Sequence, residues 1–166
     1  MTDRDDAPNL TIRPASADDV PVILGLIREL ADYEKMSNEV VASEESLKAS
    51  LFGDRRVAEV LIGELDGAAV AFAVFFHNFS TFLGRHGLYL EDLYVKPEFR
   101  GRGYGEAMLR RLAQIAVERH CGRMEWAVLD WNESAIGFYR KLGAVPMDEW
   151  TVFRITGQPL RTLAGA

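Results

Sequence analysis

The stretch Phe99-Arg100-Gly101-Arg102-Gly103-Tyr104-Gly105 sets glycine at every second position, after an apolar run and ahead of a long amphipathic one. Positions without side chains let consecutive backbone N–H groups converge on one point, and a helix beginning there adds positive potential. Such a loop can cradle an anion, with Arg100 and Arg102 offering forked hydrogen bonds to phosphate oxygens. It can equally be a tight structural turn. A Walker loop is excluded, because Gly105-Glu106-Ala107 stands where Lys and Ser or Thr are needed, and Gly101-x-Gly103-x-Gly105 is not the dinucleotide spacing. Just upstream, Glu91 and Asp92 interrupt the apolar series Leu88, Leu90, Leu93 and Val95. Neighbours in a strand leave by opposite faces unless a bulge intervenes. Carboxylates in an apolar run are costly unless paired with an arginine or put to use. In use, they could bind an alkylammonium, mostly protonated at neutral pH, and relay its proton away through an ordered water.

Other reactive side chains have plainer readings. Tyr139 follows Ile136 by three residues and precedes Leu142 by three, the spacing of a core-packing aromatic on a helix. On their own, Tyr33 is a core aromatic, Glu34 a solvated acid, and Trp126 and Trp131 packing residues. His77, His86 and His120 share no metal-ligand spacing, and Cys121, the single cysteine, has no base beside it. No metal, no disulfide and no acyl-cysteine chemistry are expected. Nineteen basic against twenty-five acidic residues give a formal charge of −6, the wrong sign for holding nucleic acid. The acidity suits cations and ordinary solubility alike. The opening Met1-Thr2-Asp3-Arg4-Asp5-Asp6 lacks the basic start of a secretory signal, and no run is long enough to cross a bilayer. A cytoplasmic protein without membrane partners is expected.

These groups need a scaffold. With 166 residues, 48% of them hydrophobic, one core suffices, so residues 1–9 are expected to be a flexible tail and 10–166 a single domain. Leu10 to Arg13 predicts an edge strand, and Ser16 to Asp19 a cap for a helix whose apolar face is Ile23, Leu26, Ile27, Leu30 and Tyr33. Ser43 to Phe52 predicts a shorter helix. Val57 to Leu65 and Ala68 to His77 form a hairpin about Asp66-Gly67, and Gly87 to Val95 is a third run. A helix over Gly105 to Cys121 with Gly122 as its stop, a strand over Arg123 to Leu129, a helix from Glu133 to Leu142 and a strand over Trp150 to Ile155 complete the series. The class is α/β (α+β): a mixed, mostly antiparallel sheet of six or seven strands with helices on both faces.

Arg100-x-x-Gly103-x-Gly105 after Leu93-Tyr94-Val95, with Trp131-Asn132-Glu133 and Phe138-Tyr139-Arg140-Lys141-Leu142-Gly143-Ala144, resembles the GNAT superfamily of acetyl-CoA-dependent N-acetyltransferases. Within it, Tyr33-Glu34, Tyr89-Leu90-Glu91-Asp92 and Trp131-Asn132-Glu133 resemble the diamine, or spermidine/spermine, type. The resemblance implies the GNAT fold and acetyl transfer from acetyl-CoA, as co-substrate, to a primary amine of a small polyamine or diamine by direct attack in a ternary complex. It implies that Arg100, Gly101, Arg102, Gly103, Tyr104 and Gly105 hold the pyrophosphate. The backbone of Leu93, Tyr94 and Val95 would bond the pantetheine arm like an added strand, and Asn132, Glu133, Ser134 and Ala135 would complete the wall. Tyr139 becomes the acid for the departing thiolate, and Glu91 the carboxylate that takes the amine proton, with Asp92 a second anionic contact. Tyr33 and Glu34 would grip the far part of the amine, and Glu125, Trp126, Ala127 and Trp150 would form further substrate walls. A homodimer is expected by analogy. Thialysine or another amino-acid-like amine, an aminoglycoside and a protein N-terminus are alternative substrates, and a non-catalytic CoA-binding regulator is the alternative of another class.

Overall fold

Asp66 (φ 50°) and Gly67 (φ 79°) both adopt left-handed backbone and close the hairpin that the Asp-Gly pair predicts. The computed structural model describes residues 9–166, so the expected tail, Asn9 apart, lies outside the described residues. In chain order the elements are β1 (Thr11–Pro14), α1 (Val20–Tyr33), α2 (Glu44–Phe52), β2 (Glu59–Leu65), β3 (Ala68–Ser80), β4 (Arg85–Val95), α3 (Tyr104–Glu118), β5 (Met124–Trp126), α4 (Glu133–Lys141) and α5 (Gly157–Ala164). The chain divides after Ala127 into a larger unit, which holds the whole sheet, and a smaller one, Val128–Ala166.

The sheet runs β1-β2-β3-β4-β5, antiparallel except for the last pair. Strand alternation sorts its two faces. Val60, Ile62, Phe72 and Tyr94 point to one side, where Ile23, Leu26 and Leu30 of α1 and Leu51 of α2 complete a buried cluster. The next residue along β2, Gly63, faces the other way, and a Cβ there would meet the Met108 sulfur of α3 at 3.2 Å. Met108 and Leu112 are fully buried, so α3 covers the second face.

Three expectations are corrected. The sheet has five strands among the described residues, not six or seven, because Trp150 to Ile155 forms no ladder and is exposed. Its β-branched and aromatic side chains carry strand propensity, which is realised only when an edge supplies partners. The strand predicted over Arg123 to Leu129 shrinks to Met124–Trp126. Finally, α3 stops before Gly122. His120 takes the left-handed position (φ 57°), and Cys121 N–H bonds back to the Ala116 carbonyl at 2.8 Å. The predicted elements do not include α5. Among the described residues, no helix is long and apolar enough to cross a membrane.

The start of the fold is pinned by charge. Arg13 reaches both oxygens of Asp19 at 2.8 Å and the Glu64 carboxylate at 2.6 Å, tying β1 to the cap of α1 and to β2. Arg13 holds the Asp19 carboxyl well below the usual carboxylate range. A carboxyl depressed on folding stabilises above its unfolded pKa, about 3.9, and that contribution fades as pH falls further. Asp19→Asn is therefore expected to cost about 1–3 kcal/mol at neutral pH, with the gap to the parent closing below about pH 4. Urea unfolding at neutral and acidic pH measures both.

Candidate active site

One extra residue in β4 organises the centre of the molecule. Val74 of β3 pairs with Asp92, but its neighbour Phe75 pairs with Leu90, so Glu91 is inserted without a partner. The simple alternation expected of adjoining carboxylates is therefore broken here by a bulge. It turns Asp92 toward the α1 face, beside Val74, while Glu91 is exposed. The same bulge ends the neighbouring ladder: β5 pairs with β4 only at Leu88, Tyr89 and Leu90. From Glu91 to Val95 the outer edge of β4 has no strand partner among the described residues. Its backbone groups are open to an extended ligand, and Leu93, Tyr94 and Val95 form that edge.

The acids gather at the bulge. Burial first, then Glu91 and Glu34, push the Asp92 carboxyl up to about 6. Burial also raises Glu34, at the end of α1. Tyr89 is raised by burial and by Glu91 and Glu125. Glu34, Asp92, Glu91 and Glu125 thus form an anionic arc around the bulge, running from the end of α1 to β5. Glu125 is tied down, accepting from Arg123 Nε at 2.8 Å and from Asn78 Nδ2 at 3.2 Å. Trp126 beside it is half-buried and Ala127 exposed. The place of Tyr89 in the arc was missed in the sequence; its position two residues before Glu91, on the same strand, is the signal that could have found it.

The glycine loop leaves β4 for α3. Gly101 (φ 75°) and Gly103 (φ 83°) occupy left-handed backbone that a side chain would strain, and Gly103 is the residue capping α3. Gly105 differs. It is helical, and a Cβ on it would make only ordinary contact with Val95 Cγ2 at 3.8 Å, so packing does not require glycine there. Glycine in a helix costs about 1 kcal/mol against alanine. A ligand backbone approaching the first turn would explain that cost, and the first amides of α3 have no intrahelical acceptor. Arg100 donates from Nε to the Val95 carbonyl at 2.8 Å, and its guanidinium lies 4.4 Å from the Tyr33 ring and 5.4 Å from that of Tyr94. Arg102 reaches the Glu98 carbonyl at 3.3 Å. The loop is therefore joined to Tyr33, next to Glu34, through one arginine. The edge, the glycines and the helix start fit the diphosphate and pantetheine of a CoA thioester.

In the smaller unit, Asn132 Oδ1 accepts from the Ala135 amide at 3.2 Å and caps α4, as predicted, with Glu133 and Ser134 exposed in its first turn. Tyr139 is half-buried on α4, its ring 5.5 Å from that of Phe138. Trp150 sits in a turn and is 75% exposed.

A mixed sheet split beside a bulge and a glycine loop opening the following helix define an acyltransferase of the GNAT class. The chain belongs to the acetyltransferase (GNAT) family, whose model matches residues 27–144. A thialysine N-epsilon-acetyltransferase of Bos taurus is 41% identical over 165 residues, spanning 93% of this chain and 96% of that one. Spermidine/spermine N(1)-acetyltransferase-like protein 1 of Homo sapiens is 35% identical, over 92% of this chain and 23% of that longer protein. Among solved structures, an integron cassette protein from the mobile metagenome of V. cholerae superposes with a TM-score of 0.81 at 25% identity, covering 96% of this chain and 99% of that one. This protein is an N-acetyltransferase acting on an amine, and acetyl-CoA is the family's co-substrate.

The raised Asp92 makes a prediction of definite sign. Between its ordinary 3.8 and about 6 the folded chain holds more protons at this group than the unfolded chain, so this contribution to stability falls as pH rises. Asp92→Asn should gain roughly 2–3 kcal/mol on the parent between pH 4 and pH 7, read by urea unfolding. In the parent, Glu91→Gln should move the Asp92 carboxyl down, visible by NMR titration.

Proposed function

We propose that the protein acetylates the terminal primary amine of a small aliphatic cation, and that a thialysine- or lysine-like ω-amine is its preferred acceptor. The carrying observation is the arc of Glu34, Asp92 and Glu91 at the bulge, next to the open edge of β4. Likeness to the bovine thialysine enzyme, over nearly the full length of both chains, supports the amino-acid-like acceptor. A polyamine is the second reading, favoured by the length of the arc, which continues to Glu125 and could face more than one ammonium group.

Bound acetyl-CoA supplies an activated acetyl group, and the chain does the rest. Arg102, the glycines and the amides at the start of α3 hold the diphosphate, with Asn132, Glu133, Ser134 and Ala135 as further cofactor contacts. Arg100 contributes charge while holding the Val95 carbonyl in place. Leu93, Tyr94 and Val95 bond the extended arm and fix the carbonyl against the strand. Asp92 and Glu34 bind the ammonium and Tyr33 packs on its chain, with Trp126, Ala127 and Trp150 as outer walls. Glu91 draws one proton from the ammonium through water, which frees the nitrogen lone pair. The N–C bond forms, the C–S bond breaks, the Tyr139 hydroxyl gives its proton to the sulfur, and the second proton shed by the nitrogen restores that hydroxyl through water. Val152 and Phe153, 85% and 92% exposed, support the homodimer expected by analogy, since apolar surface of this kind marks association sites.

A thiol-release assay with acetyl-CoA over thialysine, lysine, spermidine and putrescine tests this reading. Release is expected to be fastest with thialysine. Glu91→Gln should lower kcat/KM by about a hundredfold, and Tyr139→Phe should lower kcat with KM little changed. Acetyl-CoA binding without release for any amine would instead make the protein a CoA-binding regulator. Highest kcat/KM with spermidine would transfer the assignment to polyamines.

A further inference from the structure

The far end of the β3–β4 pair carries a group of side chains that acetyl transfer does not use. His77 lies opposite Leu88, and His86 stands two residues before Leu88, so both histidines project from the same face. Their rings meet edge to face at 5.1 Å. Cys121, just past the end of α3, brings its sulfur within 3.8 Å of His77 Nδ1. One nitrogen from each ring and the Cys121 sulfur all lie within 4.8 Å of one another. The separations in sequence, nine and thirty-five residues, match no ligand motif, which is why the histidines and the cysteine looked unrelated there.

We propose that His77, His86 and Cys121 form a binding site for zinc. A thiolate with two imidazoles is a ligand set suited to this borderline-soft cation, and three protein ligands leave its fourth position to water. In such a tetrahedron the sulfur and a nitrogen stand roughly 3.6 Å apart, so the 3.8 Å already present is close to the bound spacing. The remaining closure falls on exposed histidines and a half-buried cysteine beyond a helix end. A backbone carbonyl orients the His86 ring, as is common around zinc. His86 Nε2 lies 2.9 Å from the Arg119 carbonyl, which leaves Nδ1 for the metal. His77 Nδ1 lies 3.0 Å from the Gly87 carbonyl, a contact exchanged for zinc on binding. Zinc on Nδ1 leaves the His77 proton on Nε2, so Arg119 Nη1, 3.0 Å from that nitrogen, gives up this contact and keeps its ion pair with both oxygens of Glu59 at 2.6 and 2.9 Å. The left-handed backbone at His120 (φ 57°) turns the chain so that Cys121 returns toward the sheet. Non-glycine residues seldom hold that conformation without a constraint nearby. On binding, the Sγ–H proton is released to solvent and the sulfur–zinc bond forms, with no change of oxidation state.

Cobalt titration of the full chain, followed by zinc displacement, tests the site without reference to activity. One equivalent of Co²⁺ should bind with a near-ultraviolet thiolate-to-metal band and the visible spectrum of a four-coordinate ion, and zinc should abolish both. Cys121→Ser should remove the thiolate band, and His77→Ala or His86→Ala should each weaken zinc binding by at least about tenfold. In the unsubstituted chain, zinc should protect Cys121 from alkylation, a readout that no variant's folding can confuse. The site is overturned if the chain takes up no saturable equivalent of either metal, if the band survives in Cys121→Ser, or if zinc leaves alkylation of Cys121 unchanged.

Discussion

A single unpaired residue, Glu91, sets the geometry on which the rest depends. Without it, β4 would continue its alternation, Glu91 and Asp92 would leave by opposite faces, and β5 could follow β4 toward Val95. With it, the ladder to β5 stops at Leu90, Asp92 turns to the face covered by α1, and the segment from Glu91 to Val95 keeps an open edge. A bulge costs local pairing. The same insertion creates the opening for an extended ligand and gathers carboxylates beside it.

Electrostatics at the bulge follow from that placement. Asp92 is pushed up by burial and by two like-charged neighbours, so near neutral pH it stands close to its own titration range. An alkylammonium entering the arc would reverse the balance, since an opposite charge within reach favours the ionised carboxylate. Amine binding at this arc would therefore be linked to ionisation of Asp92. The cation stacked on Tyr33 and Tyr94 is Arg100, whose Nε also holds the Val95 carbonyl. One side chain thus touches the end of α1, the open strand and the glycine loop.

Local signals made much of this legible in the sequence. Asp66-Gly67 closed its hairpin, Ser16 and Asn132 marked helix starts, and the alternating glycines marked the loop before α3, because each acts through its own backbone. For Glu91 and Asp92 the sequence left opposite faces or a bulge as the two arrangements, and pairing with β3 decides for the bulge. Non-local information was hidden. Nothing in Trp150 to Ile155 tells whether an edge will receive it, and nothing in Arg123 to Leu129 reveals that the neighbouring strand will break off at Leu90. The left-handed position falls on His120, where Gly122 would have been the cheaper stop. Cys121 was isolated in the sequence and gained two histidines only when β3 paired with β4 in register.

The two proposed sites, for acetyl transfer and for metal, lie at opposite ends of α3. Fifteen residues of helix span about 22 Å, so a cation bound near Cys121 lies too far from the glycine loop to act on the chemistry directly. The aligned peptide dipoles nonetheless favour this arrangement, with anions at the first turn and cations beyond the last. His86 already serves the C-terminal end by facing the Arg119 carbonyl, while Gly103 leaves the N-terminal amides uncovered by any side-chain cap. β3 also outruns β2, whose last partner on it is Phe75, so His77 to Ser80 rest on β4 alone. A metal joining that overhang to the end of α3 would brace the far end of β3 and act on the stiffness of the scaffold that carries the bulge, not on the acetyl group.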